Sequence, residues 1–565
     1  MRFRRLLVLA LVCCGTVTAG FVGPTAGGDT AASTGEPSVR STGSAETPVR
    51  SPSVSERVGV TEPTIHAIYP DPVRGGDRGE FVVLALPNGT ALGRYAVSDG
   101  DTTAVLPNRT VGGRVAVTDA PESVRNLTAH PVVGVDSAPS LANGGDTVTL
   151  RRNGSTVASV RYSDTEEGDV GVVNGSSLRW RPLGATDRPV VTGAAGEVRA
   201  FTLPDAPGAP LALIRNASSR VYLAGYTLSS ERVADALIAT QRRGADVRVL
   251  LEGEPAGGRT RVEATTLDRL HEAGIEVRVV AGPRVRYRYH HAKYVVADDR
   301  AVVMTENWKP AGTGGASSRG WGVATNQSRV VGGLTATFRA DAGWRDAVTW
   351  ADFREGRSFQ RGEPANGSYP SRFDPTTVPV ERTELLVTPD NAQAALVGEL
   401  DDATDTIDVV QPTVGSWDEP LLRALRRATR RGVEVRILLS SAWYVREDNR
   451  ETAEQFNSWA DRTGSPLTAK LADPGDRYEK IHAKGAVIDG DRVIVGSLNW
   501  NEQAATANRE VVLVLHGTAV ADYFGRVFER DWGGGRPSVP LGIAAAVAGA
   551  LVVAALAARR VRFAR

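Results

Sequence analysis

The chain has 565 residues, a formal net charge of +1 and 41% hydrophobic residues. That length accommodates several domains, and the near-zero charge excludes a global electrostatic bias toward nucleic acid. Its two Cys, Cys13 and Cys14, are adjacent near the start, and there is no CxxC and no HExxH, which excludes a zinc ribbon, a zincin site and a disulfide framework.

The N-terminus reads as a secretory signal peptide, residues 1–19. Arg2, Arg4 and Arg5 form a basic start, Leu6 to Cys14 an apolar run, and Val17-Thr18-Ala19 a small-residue cleavage site. An uncleaved anchor spanning about Leu6 to Val22 is the alternative. Residues 20–57 are rich in Ser, Thr, Gly, Pro and Ala and read as a disordered linker that cannot bury a core.

From 62 to 163 the texture changes to short alternating strands, such as Phe81-Val82-Val83-Leu84 and Thr147-Val148-Thr149-Leu150, punctuated by Asn88-Gly89, Asp99-Gly100 and Asn153-Gly154. This predicts an all-β sandwich. Leu141-Ala142-Asn143-Gly144-Gly145-Asp146, followed by Val148-x-Leu150, resembles the lamin-tail domain, an immunoglobulin-like module. The resemblance implies binding or surface attachment; a spacer role is the alternative.

An internal repeat follows, in halves at 195–353 and 379–532 joined by a Gly-, Pro- and Ser-rich linker at 354–378. Each half reads strand, helix, strand: Ser219 to Ala224, Ser230 to Arg243 and Gly244 to Leu251 in the first; Thr406 to Val410, Asp418 to Arg431 and Gly432 to Leu439 in the second. The matched phrases RRGADVRVLL and RRGVEVRILL, with mostly apolar strands, imply layered α/β halves. Arg423, Arg426, Arg427, Arg430 and Arg431 make one basic helix stripe, read as a solvated face, with an anionic lipid or nucleic acid as the other reading.

Each half then carries the same short pattern. His291-Ala-Lys293-x4-Asp298 and His482-Ala-Lys484-x4-Asp489 occur in a chain with 7 His, and each is followed by an Asn-Trp pair, Asn307-Trp308 and Asn499-Trp500. On a strand, residues i and i+2 share a face, so each His-Lys pair points into one cleft. Asp298-Asp299-Arg300 and Asp489-Gly490-Asp491-Arg492 read as turns that bring return strands back beside the His. Two imidazoles can divide nucleophilic attack on phosphorus from protonation of the leaving oxygen, because their ordinary pKa of about 6.5 lies near neutrality. The Lys ammoniums and Asn amides supply charge and donors for phosphoryl oxygens, so the chemistry requires neither metal nor cofactor. Tyr287 and Tyr289 share the parity of His291 and either line the cleft or pack in the core.

This is the HKD signature, and the chain resembles the phospholipase D superfamily of phosphodiesterases. The resemblance implies that Asp298 and Asp489 orient the histidines, that His291 is the nucleophile and His482 the acid/base, and that the two halves face one shared cleft. It also makes Thr305, Ser497 and Glu510 substrate-binding residues. The second copy keeps the family's GSxN as Gly496-Ser497-Leu498-Asn499 and its downstream NxE as Asn508-Arg509-Glu510. The first departs from both: it reads Met304-Thr305-Glu306-Asn307, with Arg319-Gly320-Trp321-Gly322 where an NxE would stand.

Beyond the repeat, the 18 residues from Leu541 to Ala558 carry no charge and are followed by Arg559, Arg560, Arg562 and Arg565. That predicts one C-terminal transmembrane helix, with the bulk of the chain outside the cytoplasm. N-x-S/T sequons at Asn88, Asn108, Asn126, Asn153, Asn174, Asn216, Asn326 and Asn366 agree with export. The expected function is a membrane-anchored extracellular phosphodiesterase that hydrolyses or transfers phospholipid headgroups. An extracellular endonuclease, a cardiolipin-synthase-like transferase and a non-catalytic surface protein that binds anions or lipid are the other readings.

Overall fold

The computed structural model describes residues 60–73, 78–175, 177–362 and 365–534. The signal peptide, the 20–57 linker and the apolar run 541–558 lie outside the described residues. Among the described residues no helix is long and apolar enough to cross a membrane.

Residues 64–182 form two sheets, one of six strands and one of four. Alternate residues of their strands, among them Ile65, Val82, Leu84, Val148 and Leu150, meet in one buried core. Strands Asp169–Asn174 and Ser177–Pro182 pair on the edge of the larger sheet, past residue 163. This β-domain leans on the first half of the repeat. The Trp344 indole donates to the Asn126 carbonyl at 2.8 Å, and Arg288 pairs with Glu167 at 2.9 Å.

The repeat folds as two pseudo-symmetric α/β halves. In each, two parallel strands flank an amphipathic helix: Arg220–Gly225 and Asp246–Glu252 with helix Glu231–Arg242, and Thr406–Gln411 and Glu434–Leu439 with helix Pro420–Arg430. Ser230 caps the first helix by accepting from the Val233 amide. The shared RRG phrase is a helix exit. Gly244 and Gly432 take φ of 98° and 96°, a left-handed turn that turns the chain into the next strand. The arginine stripe is largely engaged. Arg427 forks onto Asp401 at 2.8 and 2.7 Å, and Arg431 donates to the Leu400 and Ala403 carbonyls at 3.1 Å.

The sheets have ten and eight strands and exchange their outermost strands. Val191–Gly193, which precedes the first half, pairs with Arg382–Val387 in the second sheet. Thr376–Val380, at the entry to the second half, pairs with Gly196–Leu203 in the first. Three apolar cores result. Two lie beneath the outer helices, and the largest joins residues of both sheets with helices Ser328–Ala342 and Thr518–Trp532. Buried ion pairs cross this central layer reciprocally. Arg319 of the first half meets Asp531 of the second at 2.9 Å, and Arg509 of the second meets Asp341 of the first at 3.0 Å.

Candidate active site

Each HKD segment enters its sheet through the opposite half. The His291 amide donates to the Arg509 carbonyl and the His482 amide to the Arg319 carbonyl, both at 2.9 Å. Lys480-Ile481 pairs in parallel with Ser318-Arg319. Backbone register therefore fixes both histidines at the seam.

Each HAK phrase lies just before its strand rather than on it, and each Lys folds back onto the backbone of its own His. Lys293 Nζ donates to the His291 carbonyl at 2.6 Å, and Lys484 Nζ to the His482 carbonyl at 2.8 Å. Strands Tyr294–Ala297 and Gly485–Ile488 continue inward, fully buried, with Tyr294 the one large side chain among small and β-branched residues.

The carboxylate beside each imidazole comes from the other half. Glu510 accepts from His291 Nδ1 at 2.8 and 3.0 Å, and Glu306 Oε2 lies 3.1 Å from His482 Nδ1. With Nδ1 turned to a carboxylate, each ring keeps its Nε2 lone pair. The Glu510 side chain is fully buried and that of Glu306 is 2% exposed, whereas His291 and His482 keep 11% and 21% of their side chains accessible. The polar cluster thus opens at the imidazoles. Tyr226 borders it, with its ring 4.7 Å from that of His291 and 5.5 Å from Lys293 Nζ.

Burial sets the charge state. It pulls both His291 and His482 down to about 4; Glu510 and Glu306 oppose this, and both lysines reinforce it for each ring. Lys484 falls to about 8 through burial, and Lys293 is depressed well below its ordinary value for the same reason. Glu510 titrates below its ordinary value, because His291 and Lys293 outweigh the upward push of burial. Each histidine senses both lysines, so the four basic groups form one electrostatic unit. Titration near neutrality, expected from the ordinary value, is thus displaced to the acid side, and burial favours the uncharged form of both rings.

The motif aspartates do other work. Asp298 and Asp489 sit at φ of 52° and 51° in the hairpin turns. Asp298 accepts from the amides of Ser218, Ser219 and Arg220 at 2.8 to 2.9 Å, and Asp489 from those of Thr404, Asp405 and Thr406 at 2.8 to 3.2 Å. They pin the start of the neighbouring strand, at the end of the hairpin away from the imidazoles, and do not orient them. Asp fits because its short side chain tolerates a left-handed backbone and caps free N–H groups.

Other expected residues are also re-assigned. Thr305 accepts from the Trp321 amide at 3.0 Å, and Ser497 from the Val511 amide at 3.0 Å, so both hydroxyls fasten the return strand. Glu510, expected to bind substrate, holds His291. Tyr287 is fully buried and lies 3.1 Å from Asp341, in the ion-pair layer rather than the cleft. Asn307 and Asn499 each carry a buried side-chain oxygen without a partner. Glu306 escaped sequence reasoning. Its only local signal is a lone acid closing the apolar run Val302-Val303-Met304.

A family model described as "Cardiolipin synthase, PLD-like domain" matches residues 211–342 and 396–532. The mitochondrial cardiolipin hydrolase of Xenopus laevis is 42% identical over 52 residues, 9% of this chain and 25% of that protein. The corresponding enzyme of Mus musculus is 44% identical over 52 residues. The chain therefore spans about a quarter of the length of the curated relatives it matches. Among solved structures, the phosphatidylserine synthase of Haemophilus influenzae aligns with a TM-score of 0.44 at 15% identity, covering 61% of this chain and 87% of that one. Nuc of Salmonella typhimurium, a phospholipase D family member, aligns with a TM-score of 0.25 at 17% identity, covering 27% and 98%.

Proposed function

Because the chain belongs to the phospholipase D superfamily, we propose that it is a phosphodiesterase that releases or transfers phospholipid headgroups at a membrane surface, outside the cytoplasm. The observation that carries the reading is the pair of accessible imidazoles at one seam, each backed by a buried carboxylate of the opposite half and flanked by its own lysine. The His291 Nε2 lone pair attacks phosphorus and the bond to the leaving oxygen breaks. The His482 imidazolium gives that oxygen its proton. Water or an acceptor alcohol then loses a proton to His482 and attacks phosphorus, which breaks the P–N bond and frees His291. The two ammoniums neutralise charge on the phosphoryl oxygens throughout.

A proton on His482 is scarce in the free protein, where both rings titrate near about 4. His291 must be neutral, which favours higher pH, and His482 protonated, which favours lower pH. The two demands cross on the acid side. We expect kcat/KM to peak well below pH 6.5, while kcat peaks higher because the bound phosphate's negative charge supports the imidazolium. A kcat/KM maximum at or above pH 7 contradicts the burial-driven depression.

A lipid surface is favoured over nucleic acid by the rim. Trp443 and Tyr444 are 83% and 52% exposed and stack edge to face at 5.6 Å. Their loop follows strand Glu434–Leu439 at the sheet end where His482 enters, and Lys480 Nζ lies 5.4 Å from the Tyr444 ring. Trp and Tyr prefer the headgroup level of a bilayer. Arg446, Glu447 and Asp448 open the helix that follows, and Asp448 adds a charge that opposes a nucleic-acid backbone. The charge-free run 541–558 with its basic flank supports attachment to the same membrane. Replacing Trp443 and Tyr444 with Ala should slow release from vesicles at least about tenfold, since burying one such side chain is worth roughly 1.5–3 kcal/mol. A short-chain lipid below its micelle threshold should be cleaved unchanged, and equal losses on both substrates would remove the interfacial role.

The decisive test offers the full chain mixed phospholipid vesicles and single- and double-stranded nucleic acid in parallel. Headgroup release without strand scission is expected. Scission without release would substitute the nuclease reading, and neither would leave an anion-binding protein.

A further inference from the structure

The first copy lacks a glutamate where the second has Glu510, yet both imidazoles meet a carboxylate. The register identifies the vacant position. Arg319 and Arg509 accept from the two histidine amides in the same way, so Gly320 corresponds to Glu510. The next residues agree, because Thr305 bonds to Trp321 as Ser497 bonds to Val511. The residue that reaches His482 is instead Glu306, whose counterpart in the second copy is the apolar, buried Leu498.

The two differences compensate each other. A Cβ on Gly320 would lie 2.3 Å from Glu306 Cγ and 2.8 Å from its Oε1, so the Glu306 side chain fills the space that a side chain at 320 would need. Gly320 has no left-handed torsion, so space rather than backbone geometry dictates Gly there. The neighbouring cross-strand pairs also differ between the copies, although the space at Gly322 is filled by Phe201 and that at Gly496 by backbone. Met304 faces Gly322 in the first copy, and Gly496 faces Val512 in the second.

We infer that Glu306 is the positioning carboxylate of His482, moved from the strand Ser318–Thr325 to the end of the strand Arg300–Met304, and that Gly320 is glycine to admit it. The inference rests on the proposed phosphodiesterase reading only for its kinetic arm. Glu306 acts through His482: it holds Nδ1–H, directs the Nε2 lone pair outward and stabilises the imidazolium that donates the proton.

The experiment moves the carboxylate back. In the full chain, Glu306→Leu installs the second copy's residue, and Glu306→Leu with Gly320→Glu rebuilds the second copy's arrangement. Glu306→Gln keeps the size in case the Leu variant does not fold. We expect kcat/KM for headgroup release to fall about a hundredfold in Glu306→Leu, within the usual range for loss of acid–base function, and to return to within about tenfold of wild type in the double variant. Imidazole 15N spectra, assigned by difference against His482→Asn, should report an Nδ1–H tautomer at His482 in wild type, its loss in Glu306→Leu, its retention with a lowered imidazolium pKa in Glu306→Gln, whose amide oxygen still accepts, and its return in the double variant. This arm needs no substrate. A wild type that releases no headgroup sinks the phosphodiesterase reading while the spectra still decide the role of Glu306. An unchanged His482 tautomer in Glu306→Leu, an unchanged His482 pKa in Glu306→Gln, or a folded double variant that restores neither tautomer nor rate overturns the inference.

Discussion

Phosphoryl label from a cleaved substrate is expected on His291, and His291→Ala should leave neither label nor turnover. Removing an activated nucleophile that acts with its base as a unit lowers rates by at least about a thousandfold. His482→Ala should separate the two steps. A substrate with a good leaving group needs no proton and still labels His291, but release stalls because no base activates water. Rapid quench with acid-labile label, followed by peptide mapping, reads both steps. The two Nδ1 atoms lie 2.8 Å and 3.1 Å from carboxylate oxygens, but only that of His291 is in hydrogen-bond geometry. What separates them is Glu510, which holds His291 with both oxygens. Label recovered on His482 would exchange the roles and keep the two-imidazole chemistry.

The second large effect concerns stability. Arg509→Met leaves the carboxylates of Asp341 and Asp390 buried beside the central core, where Arg509 contacts them at 3.0 and 2.7 Å. Breaking one partner of a buried pair costs about 3–5 kcal/mol, chiefly through the charge left behind. Denaturant unfolding of Arg509→Met should show a loss of that order, with part recovered on adding Asp341→Asn. The pH dependence has a definite sign. Burial would raise the Asp341 carboxyl, but Arg509 and then His290 pull it below its ordinary value of 3.8. Its contribution is therefore fully present above 3.8 and is lost as pH falls below it. In Arg509→Met that acid-side loss should shrink. A variant as stable as wild type would mean that the pair only breaks even against its desolvation.

Much of this was legible because its signals are local. The HAK phrases were expected on strands and instead lie just before them, leading into Tyr294–Ala297 and Gly485–Ile488, while the Asp turns mark the hairpins as expected. The helix exits at Gly244 and Gly432 were written into the repeated RRG phrase. The carboxylate partners were not legible, because Glu510 and His291 are far apart in sequence and only the cross-half register joins them. The Asp298 and Asp489 roles were misassigned because proximity in the motif is not proximity in the hairpin. Each Asp lies at the far end of the strand that its His precedes. The downward shift of the histidines was missed for a physical reason: the ordinary value assumes water, and these rings are largely buried near two buried lysines. Short edge strands such as Val191–Gly193 carry too few residues for an alternating pattern to declare itself.

Those edge strands make the duplicated unit a clasp. Each half finishes its sheet with a rung supplied by the chain leading into the other, so neither copy is a freestanding module, although each has a core of its own. A cut in the stretch between them would leave two fragments that still hold each other by the edges. The alignment of the imidazoles is thus set by how the polypeptide is threaded as well as by the groups that touch them.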